Sequence, residues 1–253
     1  MRVTMLVAVV VMLVGTAPAF VAPPAQQEQE KLPQVDRESE GWIHFKSIED
    51  GFSANFPGQP KVEQITYPTE YRMELPARVY RGEDALGRYS TTVVDYRGIQ
   101  KLHDAAEAKC KAAAAKGASG LDGDACQNDY RVEVAGAVDY AAWNLMRQDG
   151  VKTTHYLWYH LEMVAGRFLQ LTNPDQTRTI AAVHQHQGRV YIHKATVSKG
   201  MPVPILFMQS LGWVNRAGKN IRYKTSYTEG YGDWRYPAPI PPRVERDMLD
   251  LGY

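Results

Sequence analysis

The sequence predicts an α+β domain, a mainly antiparallel sheet with one long and one short helix packed on it. Three observations lead there. Short runs rich in Val, Ile, Thr and aromatics recur from residue 42 to residue 227, separated by Gly, Pro, Asp and Asn clusters, which is strand and hairpin patterning. One Ala-rich stretch, residues 102–116, is free of Gly and Pro and reads as a helix. The composition, 44% hydrophobic and 23% charged over 253 residues, is that of a globular chain, which excludes a mostly disordered or multi-span membrane protein.

The order along the chain begins with an export signal. Arg2 precedes an apolar run from Val3 to Val14, broken by Thr4 alone, and Ala17-Pro18-Ala19 supplies a small-residue cleavage site. Twelve helical residues rise about 18 Å, short of the ~30 Å hydrocarbon core of a membrane. Residues 1–19 are therefore expected to be a signal peptide, and the mature chain is expected not to span a membrane. Residues 20–41, with Pro23, Pro24, Pro33 and a Gln/Glu run, carry too little apolar surface to offset their ordering entropy and read as a linker.

The single domain is expected over residues 42–229. Residues 42–45 and 52–56 read as strands around the turn Glu49-Asp50-Gly51. Residues 78–81 and 89–96 flank a hairpin turn. After the long helix, strands are expected at residues 130–134 and 141–146. Residues 153–163 and 167–172 should form a hairpin around Val164-Ala165-Gly166, and residues 179–186 and 189–197 one around Gln187-Gly188. Residues 204–211 read as the short helix and 221–227 as a last strand. In residues 230–253, Pro237, Pro239, Pro241 and Pro242 favour an extended tail.

Cys110 and Cys126 are the only two cysteines. In an exported chain an even pair usually closes a disulfide, and this one would tie a Gly-rich loop back to the end of the helix. A reactive thiol or metal ligand is the competing reading, but no C-x-x-C and no neighbouring His accompany either residue.

Charge and motifs narrow the chemistry. With 29 Lys+Arg against 28 Asp+Glu, the chain lacks the basic excess of a nucleic-acid binder. The glycines within residues 212–219 are wrongly spaced for a phosphate loop, and Asn220 stands where Ser or Thr is required. Gly230-Tyr231-Gly232 lacks the third glycine of a dinucleotide fingerprint, and Asp122-Gly123-Asp124 lacks the rest of a calcium loop.

Histidines form the one candidate metal set. A two-residue turn at Gln187-Gly188 pairs His186 with Arg189, His184 with Tyr191 and Ala182 with His193. His184, His186 and His193 then share one sheet face, with diagonal neighbours about 7 Å apart. Three imidazoles so placed suit Zn²⁺ or Cu²⁺, in a metal-binding or hydrolytic protein. Against this, Arg189 on the same face opposes a cation, and a solvated polar face, where His, Gln and Arg meet water, is the simpler reading of the pattern.

Aromatic residues point elsewhere. Tyr156 and Trp158 share one strand face and Tyr159 the other, where burial is the default. Tyr231, Trp234 and Tyr236 lie outside the regular core, where large rings with a polar handle suit a partner-binding segment as well as an unordered tail.

The segment Glu49-Asp50-Gly51-Phe52-Ser53-Ala54-Asn55-Phe56-Pro57 resembles the opening strand of the PsbP/Mog1-like family. The order of a middle helix, antiparallel strands and a late Met208-Gln209-Ser210-Leu211 helix is similar to that family's across residues 42–227. The resemblance implies a non-enzymatic lumenal or periplasmic accessory protein of a membrane complex, or a protein-binding module. The tail from Glu229 departs from the family pattern. The expectation is thus a periplasmic or secreted accessory protein with a protein or membrane-complex partner, and no nucleic acid.

Overall fold

The computed structural model describes residues 41–117, 126 and 129–229. The expected signal peptide and linker, most of the loop between the cysteines, and the tail bearing Tyr231, Trp234 and Tyr236 lie outside the described residues.

The chain runs β1 (Trp42–Ser47), β2 (Phe52–Pro57), β3 (Lys61–Pro68), β4 (Glu74–Glu83), β5 (Gly87–Asp95), α1 (Ile99–Ala115) and α2 (Tyr130–Met146). It continues through β6 (Lys152–Leu161), β7 (Val164–Thr172), β8 (Arg178–His186), β9 (Arg189–Val197), α3 (Ile205–Met208), β10 (Gly212–Val214) and β11 (Asn220–Ile221). Seven strands form a sheet in the order β3-β4-β5-β9-β8-β7-β6, every neighbour antiparallel. A smaller sheet follows the order β1-β2-β10-β11.

Period-two alternation gives the large sheet two buried faces. On β8, Ile180 and Ala182 join a core with Phe52, Phe56 and Trp213 of the small sheet and Phe207 of α3. Their neighbours Ala181 and Val183 face the other way, into a core with Val134, Ala137, Val138, Ala141 and Leu145 of α2. The large sheet is therefore the middle of three layers, between the small sheet and the helices.

The class expected from sequence, a mostly antiparallel sheet with helices, is observed, with one correction. Residues 130–134 and 141–146, expected as strands, belong to the single 17-residue helix α2. Its buried positions follow the helical i, i+3, i+4 stripe, while Tyr130, Val132 and Val134 locally favour strand. The Asp129 carboxylate caps the helix by accepting from the Arg131 N–H at 2.9 Å. There are thus two long helices and one short one among the described residues.

The expected hairpin of β4 and β5 exists, and so do both later ones, but the turn of the first of those two moves. Gly166 lies within β7, and the reversal is made by Glu162 and Met163, both in the left-handed region at φ 48° and 64°. Gly166 is small for a different reason. It sits opposite His184, and a Cβ there would overlap the Val183 carbonyl and stand 2.5 Å from His184 Nδ1. The second hairpin turns at Gln187-Gly188, with the register expected: His186 opposite Arg189, His184 opposite Tyr191, Ala182 opposite His193. Residues 221–227 are mostly irregular. Beyond β11 the chain returns to the β6–β7 turn, where the Tyr227 N–H donates to the Met163 carbonyl at 2.9 Å.

Candidate docking edge

The three histidines do share a face, but it is the face covered by the small sheet. His184, His186 and His193 are 0%, 1% and 0% exposed, so the solvated-face reading is also corrected. Each ring is packed and bonded as a core side chain. His193 stacks on Phe207 with centroids 3.8 Å apart. Its Nε2–H donates to the Phe207 carbonyl at 2.9 Å, which leaves Nδ1 to accept from the Thr91 hydroxyl at 2.9 Å. His184 Nδ1–H donates to the Val164 carbonyl at 3.1 Å, and His186 Nε2 meets the Tyr223 hydroxyl at 2.7 Å.

His193, with both nitrogens engaged, has no lone pair for a metal, whereas His184 Nε2 is buried with no hydrogen-bond partner among the described residues. Among the described residues no group of three His, Cys, Asp or Glu side chains is placed to hold a metal ion. Desolvation lowers all three imidazoles, His184 to about 4 and His186 and His193 to about 3, so they are neutral core groups near pH 7. The expectation of a Zn²⁺ or Cu²⁺ site on this face gives way to an aromatic core.

Other singled-out residues are structural too. Asp50 is buried, and its carboxylate accepts from Arg78 Nε at 2.7 Å and from the Tyr80 hydroxyl at 2.6 Å. Phe52 and Phe56 fill the inter-sheet core. Cys110 in α1 and Cys126 form a disulfide with Cα atoms 5.6 Å apart. The turn within residues 215–218 is an Asx turn, in which Asn215 Oδ1 accepts from the Ala217 and Lys219 amides.

The part of the molecule left unfinished is the β6 edge. Tyr156 and Trp158, expected to be buried, are 43% and 54% exposed, and Leu157 between them is 51% exposed. Every residue from Lys152 to Trp158 is exposed, because among the described residues β6 ends the large sheet and pairs with β7 alone.

The rings are nonetheless held in place. The Tyr156 hydroxyl donates to Asp139 Oδ1 of α2 at 2.8 Å and accepts from Arg167 Nε at 3.1 Å. Arg167 also donates to Asp139 Oδ2 at 3.1 Å, while its guanidinium lies 4.9 Å from the Trp158 ring centroid. One turn along α2 from Asp139, on the same stripe, Trp143 is 48% exposed, with Arg147 4.1 Å over its ring.

The opposite edge is built differently. β3 carries Lys61 and Glu63 and ends in Pro68, devices that discourage edge-to-edge pairing. β6 has a bulge between Thr153 and His155 but no such charge from Tyr156 to Trp158. Sequence reasoning missed this asymmetry, although the apolar surplus in Tyr156-Leu157-Trp158 is its visible signal.

Among the described residues no helix is long and apolar enough to cross a membrane. No family model matches the chain, and no curated protein matches it in sequence.

Proposed function

We propose that the chain is an exported, non-enzymatic accessory protein that binds a protein partner, including one belonging to a membrane complex. An extended segment of that partner pairs with the free edge of β6. The observation that carries this reading is the contrast between the two edges of one sheet: β3 guarded by charge and proline, β6 presenting Tyr156, Leu157 and Trp158. Strand addition supplies main-chain hydrogen bonds along the edge, and the fixed rings of Tyr156, Trp158 and Trp143 supply pockets for alternate side chains. Rigid, half-exposed Trp and Tyr are the residue types that dominate binding energy at interfaces.

Two further observations support the setting. The Cys110–Cys126 disulfide fits an oxidising compartment, in keeping with the leader-like pattern of residues 1–19. The resemblance of residues 49–57 to the PsbP/Mog1-like family points to the same kind of role.

The test is retention from a membrane extract by immobilised protein, run with wild type, a Leu157→Lys/Trp158→Lys variant and a Val62→Lys variant on β3. A partner held by wild type and Val62→Lys but lost from the β6 variant is the expected result. Equal retention by all three, or none by any, overturns the proposal. A second copy of the chain captured at β6 would instead identify a self-pairing edge and would also overturn it.

A further inference from the structure

Among the described residues the helix-side face of the large sheet is only half covered: α2 packs over Ala181, Val183, Val190 and Ile192, and no described element lies over the far ends of β3, β4, β5 and β9. There the face opens into a groove of about 600 Å³, which continues through Arg88, Lys194 and Thr196 into a second hollow of about 420 Å³ below the C-terminal end of α2.

The register lays out its floor. Lys61 pairs with Arg81, Arg81 with Ser90, and Ser90 with Lys194, so these four form one straight row across four strands. In the next row Arg88 lies opposite Thr196 on one side and Glu83 on the other. Strands are about 4.8 Å apart, so the first row is about 14 Å long. Ser90, small and buried, makes a dip in the floor, with Arg81, Arg88 and Lys194 around it.

This is an unfavourable arrangement for folding alone. Like charges directly opposite each other on a sheet are destabilising. Lys194 is half-buried, and burial first, then Arg81 and Arg88, lower its pKa. Arg81 shares an exposed pair with Glu63 at 3.3 Å. Among the described residues Lys61, Arg88 and Lys194 make no ion pair within 4 Å, although Arg88 acts electrostatically on Asp175. Glu83 lines the groove, and Asp149 and Asp175 line the second hollow, so the four cations of the groove are only partly offset, and Lys194 itself lies within 4 Å of none of these carboxylates. A half-buried ammonium near two guanidiniums is stabilised further when an anion arrives.

We propose that this groove is a binding site for a small hydrophilic oxyanion ligand carrying more than one negative group. Arg81 and Arg88 match an oxyanion's paired oxygens as planar forks, Lys194 meets it as a point charge, and the Ser90 hydroxyl donates from the floor. The length of the row favours a ligand with two or more charged groups over a single ion. The site is remote from β6 in the strand order and is independent of the docking proposal.

Phosphate and carboxylate ligands share this chemistry, and the experiment separates them. Full-length protein is titrated calorimetrically with pyrophosphate and with citrate at fixed ionic strength, using wild type, Lys194→Met, Arg81→Gln and, as a control on α1, Lys101→Gln. Saturable binding by wild type and Lys101→Gln is expected, weakened at least about tenfold in Lys194→Met and Arg81→Gln. Preference for pyrophosphate assigns a phosphate ligand, and preference for citrate a carboxylate one. A thermal melt without ligand supplies a second readout, since Lys194→Met should melt no lower than wild type. Loss of binding with unimpaired stability marks a ligand group rather than a structural one. The proposal is overturned if neither anion binds saturably at about 1 mM, or if Lys194→Met binds like wild type.

Discussion

At the residue scale, the buried histidines make stability depend on pH in a definite direction. Their pKa values fall from 6.5 to about 4 for His184 and about 3 for His186 and His193. Between those limits the unfolded chain binds protons that the folded chain refuses, so stability is full above about pH 6.5 and is lost as pH falls. Each histidine contributes a slope of about 1.4 kcal/mol per pH unit, and the three together about 4 kcal/mol per unit near pH 5. Urea unfolding at pH 7, 6 and 5 should show this loss, and His186→Gln should reduce the slope by about one proton. A flat profile contradicts the buried, neutral assignment. Gly166 offers a second check. A Cβ there meets backbone and the His184 ring, so Gly166→Ala should destabilise by about 1–3 kcal/mol in the same assay. Much of this site was legible in the sequence, because hairpin chemistry at Gln187-Gly188 dictates which residues face each other. Burial was not, since the cover comes from Phe52, Phe207 and Trp213, far away in sequence, and imidazole by itself reads as a polar surface group.

At the element scale, α1 and α2 have equal length but unequal anchorage. α2 buries seven residues, six of them apolar, whereas α1 buries Ile99 and His103. What ties α1 down is the contact of His103 Nε2 with Glu133 Oε2 of α2, both fully buried, together with the disulfide at Cys110. Glu133 Oε1 also accepts from the Tyr71 amide at 3.2 Å. The bridge spans 16 positions, which in the chain-entropy model stabilises by about 3 kcal/mol. Reduction, or Cys110→Ser with Cys126→Ser, should therefore lower unfolding free energy by up to about 3 kcal/mol. In hydrogen exchange, α1 amides should lose protection before those of α2. Uniform loss across both helices would show that α1 is held by packing instead. α1 could be read from its Ala-rich run. α2 could not be read from local preference, because its apolar stripe shows only when residues 130–146 are taken as one period of 3.6 rather than as two short β-branched runs. β3 went unseen for the reason that makes it a guarded edge: its charges interrupt the alternation that marks a strand.

At the scale of the whole molecule, three layers give each face of the large sheet a different task. One face is sealed by the small sheet around an aromatic core. The other, among the described residues, is half covered by helices and half open as a cationic groove. The two edges differ in the same spirit, β3 protected and β6 left available. No single segment of sequence announces such features, since each depends on which strand ends the sheet and where the helices stop. The central claim, that β6 receives a partner strand, is tested most directly by hydrogen–deuterium exchange on the protein with and without its captured partner. The account predicts new protection in Lys152–Leu161, with β3 amides unchanged. Protection that appears elsewhere while β6 exchanges at its free rate would contradict it.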